Sequence, residues 1–125
     1  MIRRILLLSI AGTAGTLARY WLSGAVQRIA NPGFPWGTLA VNGVGCFLFG
    51  FVWTLAEERL LISGETRLIL LIGFMGAFTT FSTYMFETRQ LLASSEILLA
   101  SSNFVAENVF GLILLIAGSA LGRLI

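Results

Sequence analysis

The sequence predicts an all-α membrane protein: one domain of four transmembrane helices, the third broken near its middle. Three observations predict it. Of 125 residues, 57% are hydrophobic and only 11% are charged, whereas a soluble domain carries about 25% charged residues. A chain this short and apolar cannot cover its surface with polar groups in water. Runs able to cross the roughly 30 Å of bilayer hydrocarbon, about 20 apolar residues each, recur four times along it. Within the third run, residues 73 to 84 read GFMGAFTTFSTY, with two glycines and four Ser or Thr side chains where a continuous helix is expected.

The first span runs from about 5 to 24. Its RR followed by an apolar run also has the outline of a signal peptide, but no cleavage pattern follows Ala11, and Arg19 and Tyr20 lie near its end. Asn31 to Pro35, NPGFP, stops helices because proline lacks an amide and clashes with the preceding turn. The second span runs from about 36 to 55 and ends at the charged loop EERLLISGETR, residues 57 to 67. The third covers about 68 to 92, and RQLLASSE leads to the fourth, about 98 to 124. Little chain remains for a soluble domain.

Several function classes fall away. The net charge of +2 comes from eight arginines against six glutamates, too weak and scattered for nucleic acid. Cys46 is the only cysteine and forms no intrachain disulfide. There is no histidine, no GxSxG and no cluster of metal-ligating side chains, so an enzyme is not expected.

With four spans, both termini share a side with the 57–67 loop. That side holds Arg3, Arg4, Arg59, Arg67 and Arg123; the other holds Arg28, Arg89 and Arg19. Arginine bias sets topology, and acids count little. Five against three leaves two readings open: a single orientation with cytoplasmic termini, or insertion both ways. The second makes an antiparallel homodimer with closed two-fold symmetry possible.

Lipid offers no hydrophobic drive for helix association, so small residues mark contacts. AGTAGT (Ala11 to Thr16) and the Gly118/Gly122 pair have that spacing. Polar residues at membrane depth either bridge helices or face a watery path. Thr38 and Asn42 share a face, as do Asn103 and Glu107, with Asn108 beside them. Glu107 is the one acid expected deep in a span, to be neutral or paired there. Arg19 and Glu87 lie nearer span ends, where long side chains reach the interface. Phe81 and Tyr84 are three apart, on one helix face, flanked by Ser82 and Thr83. The preceding GAFTT is a poor continuous helix. Either it breaks, freeing backbone groups that protein, water or an ion must satisfy, or the helix stays straight and its hydroxyls bond back to i−4 carbonyls.

GAFTTFSTYMFE (Gly76 to Glu87) strongly resembles the third-helix signature of the CrcB/Fluc fluoride channels. GTLAVN (Gly37 to Asn42) resembles their second-helix signature, and GTAGTLARY (Gly12 to Tyr20) their first-helix pattern of glycines followed by arginine. The resemblance spans nearly the whole chain. It implies a dual-topology, antiparallel homodimer with two pores in the inner (plasma) membrane, exporting toxic cytoplasmic fluoride passively. It also implies a structural sodium ion on the dimer axis, held by the main-chain carbonyls of Gly76 and Thr79. Phe81 and Tyr84 match the aromatic pair whose ring edges face the anion. Asn42 matches the second-helix pore asparagine, with Thr38 one turn before it. Ser82 and Thr83 match hydroxyl positions of the third-helix motif, and Arg19 matches the first-helix arginine at a vestibule. Two departures stand out. Tyr84 occupies a position usually phenylalanine, and the fourth helix offers Ser101, Asn103, Glu107 and Asn108 in place of a hydroxyl track. Glu107 either lines a vestibule or joins a dimer contact.

These residue types suit fluoride, which is small and holds its water tightly. Amide and hydroxyl donors replace that shell, and an aromatic ring presents a positive edge. Neither places a full positive charge in the narrow part, where it would hold the ion too long. Hard cations such as sodium favour oxygen ligands. An arginine at a mouth gathers anions by steering. The alternative is a proton-coupled exporter of the small multidrug-resistance type, which needs an acid in its first span. Here that span has none, and the deep acid lies in the fourth.

Overall fold

The computed structural model describes residues 1–125. Helix α1 (Ile2–Ile29) is followed by α2 (Trp36–Glu57). The third crossing is a composite: α3 (Gly64–Leu68), a π-helical stretch π1 (Ile69–Met75), α4 (Gly76–Phe78) and α5 (Phe81–Ala93). Helix α6 (Ile97–Arg123) closes the chain. Four helical segments are long and apolar enough to span a membrane, the third bent at its middle.

Two boundaries differ from the sequence expectation. Helix α1 continues past Gly24 to Ile29, because nothing before Pro32 forbids it, and the Arg28 Nε donates to the Gly24 carbonyl at 3.0 Å. Gln27 then ties the turn down: its Nε2 donates to the Phe34 carbonyl and its Oε1 accepts from the Gly37 amide, both at 3.0 Å. The charged loop is also shorter than expected. Ser63 caps a helix start, its Oγ accepting from the Thr66 amide at 3.2 Å, so residues 64 to 67 are helical. At this end of the molecule Arg123 grips Glu58 at 2.7 Å, Arg3 meets Glu65 at 3.4 Å, and Arg67 pairs with Glu57. The Arg123 guanidinium holds the Glu58 carboxyl below its ordinary range through that hydrogen bond.

The core lies where α2 crosses the third span. Val41, Leu71, Met75 and Phe78 are buried together, with Ala18, Leu22, Leu48, Val52 and Phe74 packed around them. Both small-residue stripes serve helix contacts. A methyl group on Gly15 would overlap the Phe74 carbonyl, so α1 lies directly on π1. Along α6, a methyl on Gly118 would overlap the Phe47 carbonyl, and Gly122 abuts Thr54 of α2. This backbone-to-backbone approach supplies the packing that lipid does not.

Gly118→Ala therefore forces α2 and α6 apart. Its expected cost is about 1–3 kcal/mol, the usual penalty of overpacking, read as a lower thermal unfolding midpoint in detergent. Gly64→Ala is the control, since a methyl there meets nothing within 4 Å; equal midpoints for the two variants would refute the close-contact account.

Candidate functional site

Helix α4 ends at Phe78, and the next two residues are extended: Thr79 at φ −82°, ψ 159° and Thr80 at φ −149°, ψ 110°. The chain resumes as α5 with Thr80 as its cap, the Thr80 Oγ1 accepting from the Thr83 amide at 3.3 Å. Behind the break, the Thr79 amide and hydroxyl both donate to the Met75 carbonyl, at 3.0 and 2.9 Å. Helix α2 approaches so closely here that any side chain at position 45 would overlap Thr79; glycine permits the contact.

Asn42 fastens the break from α2. Its Oδ1 accepts from the Thr80 amide at 2.8 Å and its Nδ2 donates to the Thr80 carbonyl at 3.1 Å. The side-chain amide thus stands in for a peptide group and satisfies both polar atoms of one exposed link. Nδ2 also donates to Glu107 Oε2 at 3.0 Å.

The same bonds leave two carbonyls turned out of the helix ladder. In an α-helix the Thr80 amide would return to the Gly76 carbonyl, but it bonds Asn42. The Thr83 amide would return to the Thr79 carbonyl, but it bonds the Thr80 hydroxyl. Gly76 and Thr79 are therefore the positions whose main-chain oxygens this break releases.

The sequence-expected residues gather around two spaces. A cavity of about 370 Å³ is lined by Asn42, Thr79, Phe81, Tyr84, Glu107 and Asn108, among others. The Phe81 ring is 72% exposed on the chain, while Tyr84 is 3% exposed. The two rings meet edge to face, centroids 5.5 Å apart at 75°. The Tyr84 hydroxyl accepts from Asn108 Nδ2 at 3.1 Å, which leaves its own hydrogen for another acceptor. A second cleft, about 510 Å³, is lined by Arg19, Thr38 and Thr83, and Thr80 borders both spaces. Thr38 reaches further toward a polar mouth of about 610 Å³ that includes Gln27, Glu87 and Arg89. Ser82 borders none of these spaces; it is exposed, its Oγ 3.5 Å from that of Thr80.

Two acids occupy unexpected positions. Glu87 does not reach the interface as its place near a span end suggested; its Oε1 accepts from the Thr38 hydroxyl at 2.8 Å. Glu107 binds Asn42, one turn along α2. Each carboxyl keeps a second buried oxygen that receives no donor from the chain. Asn103, fully buried, donates to the Thr88 hydroxyl at 2.9 Å, and Thr88 donates to the Tyr84 carbonyl at 2.8 Å, fixing α5 against α6. The i, i+4 spacing of Asn103 and Glu107 marked this face in the sequence. Thr80, the pivot of the site, carried no signal beyond its place in GAFTT.

Comparison with known proteins agrees with this architecture. Residues 6–119 match the family model described as CrcB-like protein, Camphor Resistance (CrcB). A protein of Nitrosococcus oceani named fluoride-specific ion channel FluC is 53% identical over 125 residues, the full length of both chains. Proteins of the same name from Solidesulfovibrio magneticus and Geobacter sulfurreducens are 51% identical over the full length of both chains and 49% identical over 82% of each.

Proposed function

The chain belongs to the CrcB-like family, and on that footing we propose that it is a fluoride-specific ion channel, a multi-pass protein of the inner membrane that lets fluoride leave the cell passively. The broken third crossing is the observation that carries this reading. A soluble-style helix bundle has no use for two extended residues at membrane depth; a pore does, because unwound backbone and hydroxyls supply what a dehydrated ion needs. Neutral HF enters cells and ionises inside, and the inside-negative potential then drives the anion out through a passive path. The relatives carry the name of a channel, not of an enzyme.

The path proceeds past Thr80, which borders both spaces. Phe81 and Tyr84 offer ring edges, and the Tyr84 hydroxyl retains a hydrogen to donate. Thr38, Thr83 and Ser82 supply hydroxyls, and Arg19 gathers anions at a mouth by steering. The functional unit is an antiparallel homodimer with two pores. The carbonyls of Gly76 and Thr79 suit a sodium ion at its axis, since both are released from the ladder and hard cations favour such oxygens. When bound, that ion supplies a buried positive field and satisfies the freed carbonyls.

Liposomes holding the purified protein are expected to release fluoride, followed with a fluoride electrode in the presence of valinomycin, while chloride stays inside. Retention of both ions would overturn the assignment. A proton-coupled exporter would instead show release that depends on a pH gradient.

A further inference from the structure

Asn42 spends both of its N–H groups inside the chain. One goes to the Thr80 carbonyl at 3.1 Å and the other to Glu107 Oε2 at 3.0 Å, while its oxygen takes the Thr80 amide. No donor is left for a passing anion unless one of these acceptors leaves. The Thr80 bonds are a reciprocal pair that closes the helix break, and losing one exposes a peptide group in the interior of the membrane. The Glu107 bond is different. It is a single contact from a flexible side chain whose other carboxyl oxygen is buried without a donor, and the side chain borders a cavity of about 370 Å³ with room to receive it.

We infer that Glu107 is a tethered acceptor that occupies the Asn42 N–H needed by fluoride, so that the ion enters this site by exchanging with the carboxyl. This rests on the channel reading above, and it assigns the fourth helix a specificity-determining residue. The carboxyl keeps the amide oriented when no ion is present, so the donor does not turn away from the path. It also sets a threshold: fluoride occupies the site only when its concentration outcompetes the tethered group. A weaker halide acceptor such as chloride competes less well for the same N–H. Glu107 acts through Asn42 and is a positioning residue.

Initial fluoride release from valinomycin-treated proteoliposomes, measured against internal fluoride concentration, tests the exchange. Glu107→Ala is expected to lower the half-saturating fluoride concentration about 5-fold, the size of one ordinary hydrogen bond, with the maximal rate held within about two-fold. Glu107→Gln, a neutral and weaker acceptor of the same shape, is expected to fall between wild type and Glu107→Ala. If Glu107→Ala does not fold, the glutamine variant carries the test alone. A merely structural Glu107 would change the maximal rate or the folded yield without shifting half-saturation. An unchanged or raised half-saturating concentration in the folded variants overturns the inference. Absence of release from wild-type vesicles overturns instead the channel reading on which it stands.

Discussion

Phe81→Ile is expected to abolish fluoride release while leaving the protein folded. The ring is 72% exposed on the chain, so its removal opens no core cavity, and stability should hold. Its one internal aromatic partner is Tyr84, approached edge to face. What isoleucine cannot reproduce is the ring's positive edge. An anion that has given up water beside the Thr80 break then meets only aliphatic carbon. A barrier higher by about 3 kcal/mol slows passage about 100-fold, enough to bring liposome release to background. Elution at the wild-type volume and an unchanged thermal midpoint would establish that the fold survives. Undiminished flux from such a sample would remove the ring from the pathway.

Asn42→Ala is expected to damage both folding and transport. The substitution deletes both bonds to Thr80 and the bond to Glu107. It leaves the Thr80 amide and carbonyl without partners at membrane depth, where water does not replace them. Each orphaned buried group costs about 1–3 kcal/mol, so a loss of about 2–6 kcal/mol is expected. Thermal unfolding in detergent measures it, and fluoride release should vanish with it. Asn42→Asp keeps the acceptor for the Thr80 amide but loses both donors and sets a second carboxyl against Glu107; it should be no better than alanine in transport. A midpoint equal to wild type in Asn42→Ala would mean that the clamp is incidental to the break.

The four crossings were legible because length and apolarity are properties of a run. The break was legible because glycine and paired β-branched threonines weaken a helix locally. What the sequence did not disclose depends on partners distant along the chain. Asn42 meets Thr80 across 38 residues, and Thr38 meets Glu87 across 49. Nothing in either local pattern announces the pairing. Glu87 near a span end looked ready to reach the interface, yet a hydroxyl on α2 holds it inside. Phe81 and Tyr84 share a helix face by spacing, but α6 covers only the second, whose hydroxyl Asn108 reaches; one ring is left outside and the other enclosed. The proposed sodium site was nameable only through family likeness. The structure adds a local reason for its position, since the amides that would have closed on Gly76 and Thr79 are engaged by side chains.

The widened coil at Ile69–Met75 has a consequence for how this protein can change over time. A π-helical turn closes each hydrogen bond one residue later than an α-helical one, and one residue corresponds to about 100° of rotation about the axis. The stretch therefore sets the azimuth of everything beyond it, and Thr80 faces Asn42 because of that phase. Substitutions that tightened the coil into regular α geometry would gain local order and swing the threonine pair off its mark. Selection for a sturdier crossing and selection for an aligned one pull in opposite directions here, so the slack in this coil is a calibrated length, and neighbouring positions are free to drift only as far as they preserve it.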